Sequence, residues 1–279
     1  MTDRLVTTDK GSVLQHGKYN DRIYLMKLAD NDFPSIISGM DDLAHKNKYG
    51  KIFARIPLWA LPVFKASGYI SEAYIPGYIR GEEDIHFVSK FLNSDRLRGI
   101  ETGMLEKFSN ILNEGYATDK PIPEGKHRIE AVREEEAEQA AALFRQVFET
   151  YPFPVHDPEF IISSMRENTR YFGIRDKKNK FIAISSAEID TDNLCAEMTD
   201  FAVLKSQRGK KLSIILLQEM EKHMKSIDIK TLYTIARLNS LPMNKTFLRQ
   251  GYKYTGTLIK NTNISGNIES MNILYKSLK

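Results

Sequence analysis

The stretch from Ala196 to Leu238 narrows the fold more than any other part of the chain. Ala196 to Leu204 is rich in β-forming residues, Lys205 to Lys211 is a basic turn around Gly209, and Leu212 to Met224 is an aliphatic helix. Leu232 to Leu238 then returns to strand. A strand, turn, helix and strand in succession imply a layered α/β architecture. The flanking sequence extends it. His127 to Val132 alternates polar and apolar residues as a strand does. Glu134 to Tyr151 reads as a helix, with acids in its first turn and an apolar stripe through Ala137, Ala140, Ala141, Phe144, Val147 and Phe148. Pro152 and Pro154 stop it, and Asp157-Pro158 caps a second helix. Tyr171 to Arg175 and Phe181 to Ile184 flank the polar turn Asp176 to Asn179, which predicts a hairpin. Leu241 to Arg249 is a short helix ended by Gly251, and two strands close the chain. The order β-α-α-β-β-β-α-β-α-β-β predicts a mixed sheet.

The first 125 residues also read as α/β. Asp32-Phe33-Pro34 starts a helix running to about Lys48, Lys51 to Pro57 is strand-like, Leu61 to Ser67 is a short helix, and Tyr69 to Phe91 holds two strand candidates. Glu114 to Gly125, with Pro121 and Pro123, is the best linker and divides the chain into domains 1–125 and 126–279. An internal echo joins them: Ala54-Arg55-Ile56, Leu61-Pro62 and Gly68-Tyr69 recur as Ala236-Arg237-Leu238, Leu241-Pro242 and Gly251-Tyr252. Either common dipeptides coincide, or the N-terminal domain is a partial repeat of the C-terminal one. A partial repeat would lack the basic turn and would not catalyse.

Composition excludes several classes. Lys and Arg number 40 against 36 Asp and Glu, and the resulting +4 is too mild and too dispersed to suggest nucleic acid as a partner. Cys195 is the only cysteine, so no internal disulfide forms, and its strand-like flanks Leu194 and Ala196 suggest a buried, inert thiol. The six histidines are scattered without metal-ligand spacing. No apolar stretch after Met1-Thr2-Asp3-Arg4 suits a signal peptide, and the longest aliphatic run, Ile214 to Leu217, is too short to span a membrane. The expectation is a cytoplasmic protein with a small-molecule partner, no metal, no membrane and no nucleic acid; oligomeric state is not encoded legibly.

The basic turn carries the chemistry. Its backbone N–H groups and the positive end of the following helix suit a pyrophosphate, and Lys205, Arg208, Lys210 and Lys211 add charge there. Together with the strand before it and the helix after it, the turn resembles motif A of the GNAT superfamily: a Val-ending strand, an Arg-Gly-x-Gly-x-Gly/Ala turn and a Leu-rich helix. Arg208, Gly209, Leu212 and the aliphatic helix match; Lys211 stands where the family has glycine, and Ser213 where it has glycine or alanine. Asn239 to Tyr252 resembles motif B, an Asn-started helix followed by Gly-Phe or Gly-Tyr. The resemblance covers 127–279 and implies a mixed-sheet GNAT fold with acetyl-coenzyme A as co-substrate. Phe201, Ala202, Val203, Arg208, Gly209, Lys210, Lys211, Leu212 and Ser213 would line the donor, Asn239 or Asn244 would bond the pantetheine, and Phe247 would flank the thiol. Phe247 replaces the tyrosine that protonates the leaving thiolate in many members, leaving Tyr252 or Tyr233 as candidate acids.

The attacking amine is an ammonium in water and must lose a proton first. Glu197, on the motif A strand, is the candidate base, with a salt-bridged surface carboxylate as the alternative. Asp200 has the opposite strand parity and is expected on the other face. Backbone N–H near Ala202 or Val203 would meet the oxyanion. The loop from Glu149 to Asp157 would border the acceptor, with Glu149 or Asp157 meeting an ammonium and Tyr151 bounding the cavity. Arg55-Ile56-Pro57, Tyr74 to Tyr78 and Tyr151-Pro152-Phe153-Pro154 give the whole chain a resemblance to the β-lysine N-acetyltransferase family. That implies acetylation of the ε-amine of β-lysine, giving the compatible solute Nε-acetyl-β-lysine. Acetylation of another amino acid or polyamine, or coenzyme A sensing without turnover, are the alternatives. The sequence offers too many Lys and Arg to choose a partner for the substrate carboxylate.

Overall fold

The structure, a computed structural model, describes residues 3–98, 101–115, 129–149, 151–264 and 266–278. The boundary at 125/126, most of the expected linker and the first two residues of the strand expected at His127 lie outside them.

The N-terminal half begins with three strands, β1 (Arg4–Thr7), β2 (Val13–Gly17) and β3 (Arg22–Lys27). A helix, α1 (Ser35–Asn47), leads to β4 (Lys51–Pro57), and α2 (Leu61–Ala66) leads to the hairpin β5 (Ile70–Ile79) and β6 (Glu83–Phe91). Two further helices follow, α3 (Asp95–Arg98) and α4 (Thr102–Glu114). The C-terminal half contains β7 (Ile129–Ala131), α5 (Ala137–Val147), α6 (Pro158–Glu167), β8 (Thr169–Arg175), β9 (Phe181–Asp190), β10 (Cys195–Val203), α7 (Leu212–Ser226), β11 (Thr231–Arg237), α8 (Leu241–Arg249), β12 (Lys253–Ile264) and β13 (Asn267–Ser277).

The two sheets share one plan. Six strands run β1-β2-β3-β4-β6-β5 in the first, and seven run β12-β13-β11-β10-β9-β8-β7 in the second. In each, one parallel pair, β3 with β4 or β10 with β11, sits among antiparallel neighbours. The echo in the sequence is therefore structural. Gly68 and Gly251 both end their short helices with positive φ, +87° and +85°. Tyr69 and Tyr252 both donate their N–H to the Phe five residues earlier, at 3.1 Å, and both rings meet that Phe edge-on at 5.0 Å.

Side-chain parity assigns the faces of the second sheet. Ala187, Ile189, Ala196 and Met198 point to α7 and α8, packing on Leu212, Leu216, Phe247 and Leu248; Phe108 and Ile111 of α4 join that core. On the opposite face, Ile184 and Ala202 meet α5 and α6 through Phe144 and Ile161. Cys195, Tyr233 and Ile273 on that same face meet Phe53, Ile75, Tyr78 and Phe87 of the N-terminal half. Burial pushes the Cys195 thiol up to about 12, so it stays protonated and packs as a small apolar group.

A buried ion pair fastens the halves. Lys51 Nζ donates to Glu72 Oε2 at 2.8 Å and to the Ile259 carbonyl of β12 at 2.8 Å, while Glu72 Oε1 accepts from the Ile259 N–H at 2.7 Å. Both side chains are sealed, with 0% and 3% exposure. Arg22 and Arg96 donate to the carbonyls of Asn261 and Lys260 on the same strand.

The helix expected to reach Tyr151 ends at Val147, because Phe148 turns extended and stacks its ring on Tyr151 at 4.6 Å. Asp157 caps α6 as expected, accepting from the Glu159 N–H at 3.0 Å.

Candidate active site

The site begins where a parallel pair comes apart. β10 and β11 pair only over Cys195–Glu197 and Thr231–Tyr233, while β10 stays on β9 to Val203 and β11 stays on β13 to Arg237. A wedge therefore opens between two strand edges, and such edges accept the peptide groups of an extended ligand.

The basic turn stands at the wide end. Gly209 has φ +80°, and a Cβ built there meets nothing within 4 Å, so conformation and open space, not packing, account for glycine. Lys211 caps α7 with φ +61° and ψ 21°, the left-handed conformation that glycine would adopt freely. Lysine there costs about 1 kcal/mol, yet the turn keeps its shape. The N–H groups of Gly209, Lys210 and Lys211 have no backbone acceptor among the described residues, and the first-turn amides of α7 add to them. Oriented donors, a helix dipole and the exposed Arg208, Lys210 and Lys211 fit a diphosphate. Among the described residues Lys210 Nζ reaches only Gln207 Oε1 of the same turn, at 2.7 Å.

A group of carboxylates gathers at the apex. Glu197 lies directly opposite Glu188 in the β9–β10 register, on the face away from α7. Burial raises Glu188 to about 8, helped by the charges of Glu197 and Asp200. Burial raises Glu197 to about 7, opposed by Arg55 and by hydrogen bonding from the Tyr233 hydroxyl and the Ile235 N–H. Glu188 nevertheless keeps solvent-accessible surface and Glu197 is half-buried, so the two line a wet, protein-walled cleft. They hold a proton near neutral pH as a pair.

Asp200 departs from the expected parity. β10 bulges between Thr199 and Ala202, with Asp200 at φ +54°, and the extra residue turns its carboxylate onto the face of Glu188 and Glu197. There it accepts from Tyr151 Oη and from Ser186 Oγ, both at 2.5 Å.

Other residues chosen from the sequence are distributed unevenly. Tyr151 is in the cleft. Glu149 is exposed, and the Asp157 carboxylate is engaged in capping α6. Tyr252 lies on the helix side of the sheet, buried against Phe247 and under the Lys276 ammonium, so the sheet stands between it and Glu197. Tyr233, by contrast, is beside Glu197. Asn244 is fully buried and saturated: it donates to the Arg237 and Ser240 carbonyls and accepts from Asn272, each at 2.9 Å. It locks α8 to β11, whereas Asn239 is exposed at the turn. Phe247 packs edge-on to Phe201 at 5.5 Å. Sequence reasoning missed Glu188 and gave Arg55 no role in the site. Only the strand register pairs Glu188 with Glu197, and only the packing of the halves brings Arg55 near.

A wedge between parting parallel strands, with a basic glycine turn opening the next helix, defines an acyl-coenzyme A-dependent N-acetyltransferase. The "Acetyltransferase (GNAT) family" model matches residues 128–252. Beta-lysine N(6)-acetyltransferase of Methanococcus maripaludis is 38% identical over 95% of this chain and 96% of its own. N-acetyltransferase YodP of Bacillus subtilis is 30% identical over 96% of each chain. Beta-lysine N(6)-acetyltransferase of Methanosarcina mazei is 29% identical over 88% of this chain and 98% of its own. The chain belongs to the β-lysine N(6)-acetyltransferase family of GNAT enzymes.

Proposed function

We propose that the protein transfers acetyl from acetyl-coenzyme A to the ε-amine of β-lysine in the cytoplasm, giving Nε-acetyl-β-lysine as a compatible solute in osmoadaptation. The observation that carries this reading is the cross-strand pair Glu188 and Glu197 at the apex of the wedge. Acceptors carrying two ammonium groups are drawn to such carboxylates, and relatives named for β-lysine match along both halves.

In this reading the diphosphate rests on Gly209, Lys210, Lys211, Leu212 and Ser213 while the pantetheine runs along the open edge of β10. Glu197 in its charged form takes a proton from the ammonium, directly or through a water, and the freed amine attacks the thioester carbonyl. Collapse of the tetrahedral adduct breaks the C–S bond and expels the coenzyme A thiolate, which takes up the proton the new amide nitrogen gives up, through water. A backbone N–H at the Thr199–Ala202 bulge meets the oxyanion. Asp200, tied to Tyr151 and Ser186, positions the wall of the cleft.

The N-terminal half takes no part in donor binding. Its counterpart of the basic turn, between β3 and α1, carries Asp30, Asp32 and no Lys or Arg, and Asp32 accepts from the Thr8 hydroxyl at 2.7 Å. Acids there repel phosphate.

Thiol release from acetyl-coenzyme A with β-lysine, α-lysine and spermidine offered separately, with products weighed, tests the function. A β-lysine preference with one added acetyl on the ε-nitrogen is expected. Faster turnover of spermidine overturns the substrate assignment.

A further inference from the structure

One charged group near the cleft has no part in donor binding or proton transfer. Arg55 extends from β4 of the N-terminal half. Its Nε donates to the Met26 carbonyl at 3.1 Å, its Nη1 donates to Tyr78 Oη at 2.9 Å, and the guanidinium stands 5.3 Å from the Tyr78 ring centre. Tyr78 packs on Tyr233 at 5.6 Å, and Tyr233 is the register partner of Glu197. The arginine is thus held rigidly at the edge of the carboxylate group. Its charge is felt by Glu188, Glu197 and Tyr24.

No carboxylate among the described residues forms an ion pair with Arg55, and its Nη2 has no hydrogen-bond partner there. Nor is that nitrogen among the sealed polar atoms without partners, so it opens to solvent. A half-buried guanidinium, fixed on two sides and free on the third, is unusual without an anion, because charges withdrawn from water are ordinarily paired. Its planar fork matches a carboxylate. Glu188 and Glu197 attract ammonium at a neighbouring point of the cleft. A molecule that presents ammonium to the pair and carboxylate to the arginine is an amino acid.

We propose that Arg55 binds the carboxylate of the amino-acid acceptor, so that the N-terminal half forms one wall of the acceptor site and selects amino acids over plain amines. This rests on the β-lysine reading above and adds the residue that recognises the acid end. A purely structural Arg55, bracing Met26 and Tyr78, would affect all acceptors alike.

Full-length wild type, Arg55→Met and Arg55→Lys are compared with β-lysine and with its neutral carboxamide at saturating acetyl-coenzyme A. Wild type is expected to show a KM about a hundredfold higher for the carboxamide. Arg55→Met raises the KM for β-lysine about a hundredfold and leaves that for the carboxamide within about threefold and acetyl-coenzyme A affinity unchanged, while loss of its charge beside Glu197 lowers kcat near neutral pH on both acceptors alike. Arg55→Lys falls between, and it decides the same ratio if Arg55→Met does not fold. An equal rise in KM on both acceptors, or full discrimination retained in the variants, overturns the assignment. If wild type turns over α-lysine or ornithine instead of β-lysine, the substrate reading fails, and the same acid-to-amide ratio on that acceptor still judges Arg55.

Discussion

Removing the Glu72 carboxylate while keeping its length, as in Glu72→Gln, separates a fastening role for the Lys51–Glu72 pair from a decorative one. In the native fold Lys51 Nζ has two acceptors, Glu72 and the Ile259 carbonyl, and no exposure to water. Burial already pulls its pKa from 10.5 to about 7, with Glu72 the main opposing influence. Glutamine leaves that ammonium without its counter-charge, and breaking one side of a buried pair costs about 3–5 kcal/mol. The amide oxygen of glutamine can still accept from the Ile259 N–H, which places the expected loss near the lower end, about 3 kcal/mol. Lys51→Met alone strands the Glu72 carboxylate and costs a similar amount, while the double variant Lys51→Met/Glu72→Gln, with no charge left buried, recovers most of it. Urea denaturation at pH 6, below the Lys51 value so that the native pair is charged, gives the coupling energy from all four proteins directly. Singles within about 1 kcal/mol of wild type, the size of an exposed pair, would refute the idea that this pair holds the halves together.

Four further outcomes follow from the site and the seam. Activity of wild type on its amine rises as Glu197 loses its proton around pH 7, and Glu197→Gln lowers kcat about a hundredfold or more and flattens that limb in a pH–rate profile. Stability moves oppositely: the folded pair keeps protons that the unfolded chain releases near 4.5, so its contribution is full below that pH and is lost as pH rises through about 8. Glu188→Gln therefore melts higher than wild type at pH 8.5, with the gap closing at pH 5. Lys211→Gly keeps the left-handed cap and changes acetyl-coenzyme A affinity less than about threefold, whereas Lys211→Val, by calorimetric titration, weakens it about tenfold. Gly256→Ala places a Cβ 2.0 Å from the Glu72 backbone carbonyl, so it forces β12 from β5 and costs about 3 kcal/mol in the same urea assay.

The second half of the fold was legible because its segments agree with themselves locally. The stripe of α5, the Asp157-Pro158 cap and the turn around Gly209 are all decided within a few residues. The first three strands were not read, since β1 is exposed along its length and β2 buries only Leu14 fully, which leaves no clear alternation. Helix α4 also escaped, because its apolar face answers to Tyr254 and the core of the other half. The site divides in the same way. Glycine and lysine in the phosphate turn announce themselves by neighbourhood in sequence. Glu188, nine residues before Glu197, becomes its partner only through hairpin register, and a single bulged residue reverses the side on which Asp200 falls. Tyr252 looked available as an acid, but its matched corner with Phe247 buries it.

Those matched corners, Phe64-Gly68-Tyr69 and Phe247-Gly251-Tyr252, repeat one local design in both halves. In the function proposed above the half with the acidic turn binds no acyl donor, yet its β4–β6 face covers the other half's sheet. Mutational tolerance should therefore be lopsided within it. The outer surface around Leu58 and Trp59 is free to drift, while the side turned toward Cys195 and Tyr233 stays fixed by a partner that still has work to do. A half kept for the wall it forms, as proposed above, can change acceptor recognition while the phosphate-binding half keeps its turn.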